Sequence, residues 1–269
     1  MKANELETLK DWFNDYIRTF ESDDDDINKN IILKHEHTKR VCQEIIDIGG
    51  ELNLNENELY LAEAMALFHD VGRFEQYTKY RTFLDLKSEN HAELSVKILK
   101  ENNVLKIIKD EEKRLILKTI SYHNRKVLPE NETETCLFFA KLLRDADKLD
   151  IWKVVTDYYQ RRDDEKNGAI ELGLPDLPEF SDDACNNLID KKIVGIEQIR
   201  TMNDFKMLQI GWIYDVNFVA TFRKVREREY LEIIRRFLPK SKKIDYALEI
   251  AQGYILEKIK HEKNYHRLI

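Results

Sequence analysis

Glycine and proline are scarce, eight and four in 269 residues. A chain of many short strands needs turn residues at each reversal, so the shortage points to long helices with short connections. Cysteine is scarcer still. Cys42, Cys136 and Cys185 are odd in number, far apart and form no CxxC pair, which argues against a disulfide framework and against a thiolate zinc site. No stretch comes near the roughly 18 consecutive apolar residues of a membrane span. Positive charge is in deficit too: 44 Lys and Arg against 51 Asp and Glu leave a net charge of −7. Phosphate backbones are bound by basic stripes, so a nucleic-acid partner is disfavoured. A small anionic ligand, neutralised locally by a metal ion, is not. The opening stretch MKANELETLKDWFNDY is charged throughout and lacks the apolar core of a signal peptide, so the expected location is the cytoplasm.

What is present is helical periodicity in a composition of 42% hydrophobic and 35% charged residues, that of a soluble globular chain long enough to bury a full core. Leu6, Leu9, Trp12, Phe13, Tyr16, Ile17 and Phe20 predict a helix over 4–20. Four aspartates at 23–26 lack the alternation of a calcium loop and read as a solvated turn capping the next helix. That helix is expected over 27–48, stopped by Gly49-Gly50, and a third over 56–70 with Gly72 as its C-cap glycine. Residues 73–88 have no sustained period. They mix Arg73, Lys79, Arg81 and Lys87 with Phe74, Tyr77, Tyr80 and Phe83, as a loop covering a site would. Helices follow over 89–101 with Ser88 as N-cap, 110–122 and 133–160. Gly168, Gly173, Pro175 and Pro178 mark a boundary, and three or four helices are expected over 181–269. The expected architecture is all-α: a helical core over 1–165 and a C-terminal helical extension over 166–269, packed on it.

The adjacent pair His69 and Asp70 closes the third predicted helix, where the negative end of the helix dipole favours a cation. Alone, such a pair carries little. Around it stand His37, with His35 about 200° away on the same helix, then His91, His123 and the carboxylates of RDADKLD at 144–150. His261 and His266 sit in a charged terminal helix with no carboxylate framework and read as surface residues.

His37 in HTKRV, His69-Asp70 and Asp147 in ADKL together resemble the H…HD…D signature of the HD-domain metal-dependent phosphohydrolases, over roughly residues 30 to 160. His91 and His123 resemble the two further ligands of members with two metals. The resemblance implies a divalent transition metal (Mn, Fe, Co, Ni or Zn), one ion or two, held by His37, His69, Asp70, His91, His123 and Asp147. At a one-ion site His91 or His123 would instead donate a proton or contact phosphate. It implies hydrolysis of a phosphate ester by metal-activated water, in the EC 3.1 class of phosphohydrolases and phosphodiesterases. The substrate would be a nucleotide or another small phosphorylated compound, with self-association left open. Asp70, Arg73 and Asp147 would carry the chemistry, and Arg73, Asn124 and Lys148 would contact substrate; Arg73 could instead pair with Glu75 or with a helix end. Asp145, about 200° from Asp147 on a helix, would orient a ligand histidine or pair with a cation. The Gly-Tyr-Pro segment of the cyclic-dinucleotide phosphodiesterases is missing, as is the Glu-Asp of the alarmone hydrolases. Tyr158 and Asp163 do not fit the spacing of the deoxynucleotide triphosphohydrolases, so the substrate subclass stays open. The rivals are a regulatory HD module that binds a nucleotide without turnover, and a helical scaffold whose later half docks a protein.

Overall fold

A computed structural model describes residues 1–161 and 166–265, except the side chains of 262–265. The described residues are all-α and hold no strand. None of their helices is long and apolar enough to cross a membrane. They fall into two compact units, Met1–Asp150 and Ile151–Ile269.

In the first unit, α1 (Ala3–Arg18) buries the stripe Leu6, Leu9, Phe13 and Ile17. Phe13 meets Phe68 and Phe74 edge to face at 6.2 and 5.9 Å. All three rings are fully buried, each contributing roughly 1.5–3 kcal/mol of burial. The aspartate run caps α2 (Asp25–Glu51), since the Asp24 carboxylate accepts from the backbone N–H of Asp26 and Ile27. Gly49-Gly50 does not stop this helix, contrary to expectation. A Cβ on Gly49 would lie 2.8 Å from Leu59 Cδ2, so that glycine makes room for the neighbouring helix, and Asn53, at φ 59°, begins the reversal. The neighbour, α3 (Glu56–Phe68), starts with an Asn55–Glu58 capping box and buries Leu61, Ala62 and everything from Ala64 to Phe68.

Gly72 is not a left-handed cap, and 73–88 is not one loop. Gly72 opens α4 (Gly72–Tyr80), which Arg81 closes in the left-handed conformation. Only 81–90 is irregular, apart from a short 3-10 turn at Asp85–Lys87. The next helix, α5 (His91–Glu101), is capped by Asn90, whose Oδ1 accepts from the N–H of Ala92 and Glu93. Ser88, expected in that role, instead accepts from Gln76 and donates to Leu84 O. α6 (Asp110–Tyr122) and α7 (Glu134–Arg161) run close to their predicted bounds.

The second unit holds α8 (Gly168–Glu171), α9 (Asp182–Ile189), α10 (Met202–Gly211), α11 (Val219–Glu227), α12 (Tyr230–Arg236) and α13 (Lys242–Tyr265). From residue 181 on the described residues form five α-helices rather than the three or four helices expected. The breaks around α9 and between α11 and α12 fall at Lys191 (φ 58°) and Glu229 (φ 52°), residue types that announce no turn. His261 is exposed; His266 and Asp163 lie outside the described residues.

Candidate metal centre

Five segments bring the site together. His69 is the C-cap of α3 and Asp70 follows it. Ser95, one turn into α5, locks this corner by donating to His69 O at 2.9 Å and accepting from Gly72 N at 2.8 Å. That requires a glycine, because a Cβ on Gly72 would lie 2.6 Å from His91 O and 2.7 Å from Ser95 N. The close approach puts His91, the first residue of α5, beside Asp70. His37 comes from the middle of α2, His123 from the C-cap of α6, and Asp147 with Asp150 from α7.

The Asp70 carboxylate faces two sets of donors, one with each oxygen. Its Oδ2 lies 3.5 Å from Nε2 of both His37 and His69, and Asp147 Oδ1 lies 3.2 and 3.5 Å from the same two nitrogens. Its Oδ1 lies 3.4 Å from His91 Nε2 and 3.8 Å from His123 Nε2. Across each ring, Nδ1 is held by an acceptor: His37 by Asp150 Oδ2 at 2.7 Å, His69 by Ala66 O at 2.7 Å, His91 by Asp85 Oδ2 at 2.7 Å and His123 by Ile120 O at 2.7 Å. Assigning the ring proton to Nδ1 in each case turns four Nε2 lone pairs toward one carboxylate. His91 and His123 then point lone pairs at each other across 2.9 Å. The Nε2 atoms of His37 and His69 are buried without a hydrogen-bond partner, which costs about 1–3 kcal/mol each unless a ligand takes them up.

This donor set fits metal ions. Ligand atoms of His37, His69 and Asp70 lie within 4.8 Å of one another, as do those of Asp70, His91 and His123. Imidazole with carboxylate is the chemistry of borderline divalent ions, and Asp70 stands where it could bridge two. The electrostatics agree for His91 and His123, whereas at His69 burial is outweighed by the Asp70 and Asp147 carboxylates, which raise the imidazole. Burial, with His91 and His69 adding to it, pushes His123 down to about 3, and burial followed by the Arg73 charge lowers His91, so both present neutral rings. Burial opposes ionisation of Asp70, but Lys34, His69, Arg73 and His91 outweigh it and hold the carboxyl well below its ordinary range.

Of the residues expected at the site, His37, His69, Asp70, His91, His123 and Asp147 converge, and Arg73 lies against them. Its Nε is 3.4 Å from Asp70 Oδ1 and its Nη1 3.0 Å from Asp85 Oδ1, so its ion pairs are with these two rather than with Glu75. Asn124 touches the cluster indirectly, donating to Asp85 Oδ2 at 3.2 Å. Lys148 is half-buried and reaches back to Arg144 O at 3.5 Å. His35 turns away and packs edge to face on Phe13. Asp145 is buried, but the carboxylate that orients His37 is Asp150, itself gripped by Arg40. Asp150, Arg40 and Lys34 join the cluster without belonging to the motif, although each sits three residues from one of its members on the same helix, a spacing that shares a face. Asp85, in a short 3-10 turn, carries no such signal.

Residues 35–152 match the family model described as HD domain, and the histidine–aspartate cluster lies within that stretch. No curated protein and no solved structure matches the chain.

Proposed function

We propose that this protein hydrolyses a phosphate ester of a nucleotide or a similar small phosphorylated compound, in the EC 3.1 class, with a divalent transition metal as cofactor and the cytoplasm as its setting. The observation that carries the reading is the pair of buried, unpartnered Nε2 atoms on His37 and His69, turned toward the same two carboxylates. His37, His69, Asp70 and Asp147 would hold one ion; Asp70, His91 and His123 would hold a second. Bound there, Mn, Fe, Co, Ni or Zn supplies Lewis-acid charge and lowers the pKa of a water.

The protein's own contribution is orientation and charge. Asp150, Asp85 and the carbonyls of Ala66 and Ile120 fix the four rings, so each lone pair is aimed before any ligand arrives. Arg73, anchored by Asp85 and turned toward His91, would set a fixed positive charge beside a phosphoryl oxygen. The imidazoles are all but closed to solvent, which strengthens every charge interaction among them. A covalent nucleophile is not required.

The test is metal analysis of the purified full chain followed by a phosphate-release screen over nucleotides, cyclic dinucleotides and simple phosphate esters. About one to two equivalents of metal and release from at least one class are expected. Protein that stays metal-free after repletion overturns the reading. Metal-loaded protein that binds a nucleotide but releases nothing would instead be a regulatory module.

A further inference from the structure

Lys34 belongs to none of the patterns that pointed to the site. It lies one turn before His37 on α2, and its ammonium reaches Asp70 Oδ2 at 2.6 Å. Arg73 approaches the same carboxylate from the other oxygen, Nε to Oδ1, at 3.4 Å. The two cations flank Asp70 and share the ring of Phe83, with Lys34 Nζ 5.3 Å and Arg73 Cζ 5.8 Å from its centroid.

Both stand at the water-facing edge of the cluster. The side chains of Lys34, Arg73 and Asp147 are 15%, 14% and 17% exposed, whereas no ligand imidazole exceeds 6%. Lys34 and Arg73 are thus more open to water than the imidazoles, as are Asp85 and Asp147. The carboxylates Asp70, Asp85, Asp147 and Asp150 outnumber by one the cations Lys34, Arg40 and Arg73 that pair with them. One divalent ion then leaves this set of groups net positive by one, and two ions by three, so the loaded cluster attracts an anion.

We propose that Lys34 and Arg73 grip the phosphoryl group together, and that Lys34 makes the site favour a phosphoryl dianion, a phosphomonoester or terminal phosphate, over a phosphodiester. The proposal rests on the phosphohydrolase reading. The chemical reason is the supply of charged oxygens. A monoester has three terminal oxygens sharing two charges, enough for metal, Arg73 and Lys34 together. A diester has two oxygens sharing one charge. Metal and guanidinium use them up, and the Lys34 ammonium would face an ester oxygen, a poor acceptor. Charge-assisted hydrogen bonds are the stronger ones, so the dianion gains more from Lys34.

The experiment uses the metal-loaded full chain. Calorimetry measures binding of inorganic phosphate, and rates are compared on p-nitrophenyl phosphate and bis(p-nitrophenyl) phosphate. For Lys34→Met we expect phosphate binding weaker by roughly 10–100-fold, the weight of one hydrogen bond to a charged group, and a monoester-to-diester rate ratio that falls in the same sense. Metal content and thermal midpoint should stay at wild-type values, and Lys34→Arg should restore most of the phosphate affinity. Unchanged phosphate binding and rate ratio in Lys34→Met overturn the role of Lys34 while leaving the phosphohydrolase reading intact. So does a loss of metal in that variant, which would make Lys34 a structural partner of Asp70. A wild type that prefers the diester overturns the selectivity. A metal-loaded wild type that neither binds phosphate nor cleaves either ester overturns the phosphohydrolase reading, and this inference with it.

Discussion

Both units bury charged and polar side chains in an all-helical core, and they use them in opposite ways. In residues 151–269 the fully buried Asp204 accepts the backbone N–H groups of Ser181, Arg200 and Thr201 at 2.6, 2.9 and 3.1 Å. Beside it Asn203 donates to the carbonyls of Leu177 and Glu179. That polarity is spent on the unit's own backbone and pins the segment 177–181 to the start of α10. In residues 1–150 the backbone and neighbouring carboxylates hold the outer nitrogen of each clustered histidine, and the inner nitrogens converge on Asp70. Burial of a polar group is therefore not what distinguishes a site. The distinction is whether its hydrogen-bonding capacity is closed within the chain or left aimed at a common point.

The largest effect should come from breaking that convergence. Asp70 presents one oxygen to each histidine pair, and Asn in its place has a single neutral oxygen to offer. Asp70→Asn should lose most of its bound metal and all measurable phosphate release while keeping its helical circular dichroism. Metal analysis beside the spectrum checks this. Full metal content in the variant would mean that the polarity of the first unit is as structural as that of the second.

The converse substitution should act on stability alone. Asp204→Ala leaves three N–H groups, one buried and two part-buried, without their carboxylate, a loss of about 2–4 kcal/mol for hydrogen bonds to a charged group. Hydrogen exchange at Ser181, Arg200 and Thr201 should accelerate, with metal content unchanged. Slow exchange at those amides in the variant would show that something other than Asp204 holds the segment.

What could be read beforehand divides along similar lines. The histidines and carboxylates of the centre were legible because each ligand type sits in a short local context, and the long helices because their apolar periods run for several turns. Glycine misled where its local meaning was overridden by packing. Gly49 and Gly72 read as punctuation, but each is small because a neighbouring helix comes close. The helical start of 73–88 was hidden because α4 is short and buries Gly72, Phe74, Gln76 and Tyr77, a pattern with no single periodic stripe. Asp85 could not have been assigned at all. Its contacts to His91 and Arg73 exist only once α4 and α5 have packed.

The smallest effect, and the finest test of the contrast, concerns Asp150. Its carboxylate is buried, accepts from His37 Nδ1 at 2.7 Å and takes both donors of a forked Arg40 contact. It behaves toward Arg40 like a closed structural group and toward His37 like part of the centre. Partners that aim a metal-binding imidazole typically contribute about 10–100-fold in metal affinity. Asp150→Asn keeps an oxygen for His37 but can turn an amide N–H toward Arg40, so the ring should be held less firmly and metal affinity should drop within that range. Metal titration by competition with a chromogenic chelator measures it. The acid limb of stability gives a second reading on metal-free protein. Burial opposes ionisation of Asp150, but the His37 and Arg40 contacts outweigh it and lower the carboxyl from its ordinary value. A carboxyl lowered in the folded state binds fewer protons than in the unfolded one. Its stabilising contribution is therefore complete above about pH 4 and is lost as pH falls through the lowered value. Asp150→Asn removes this titration, so its stability should fall less steeply than wild type below about pH 4. A variant that keeps wild-type metal affinity but flattens the acid limb would make Asp150 purely structural, of the same kind as Asp204. A drop in both would place it on the metal side of the contrast.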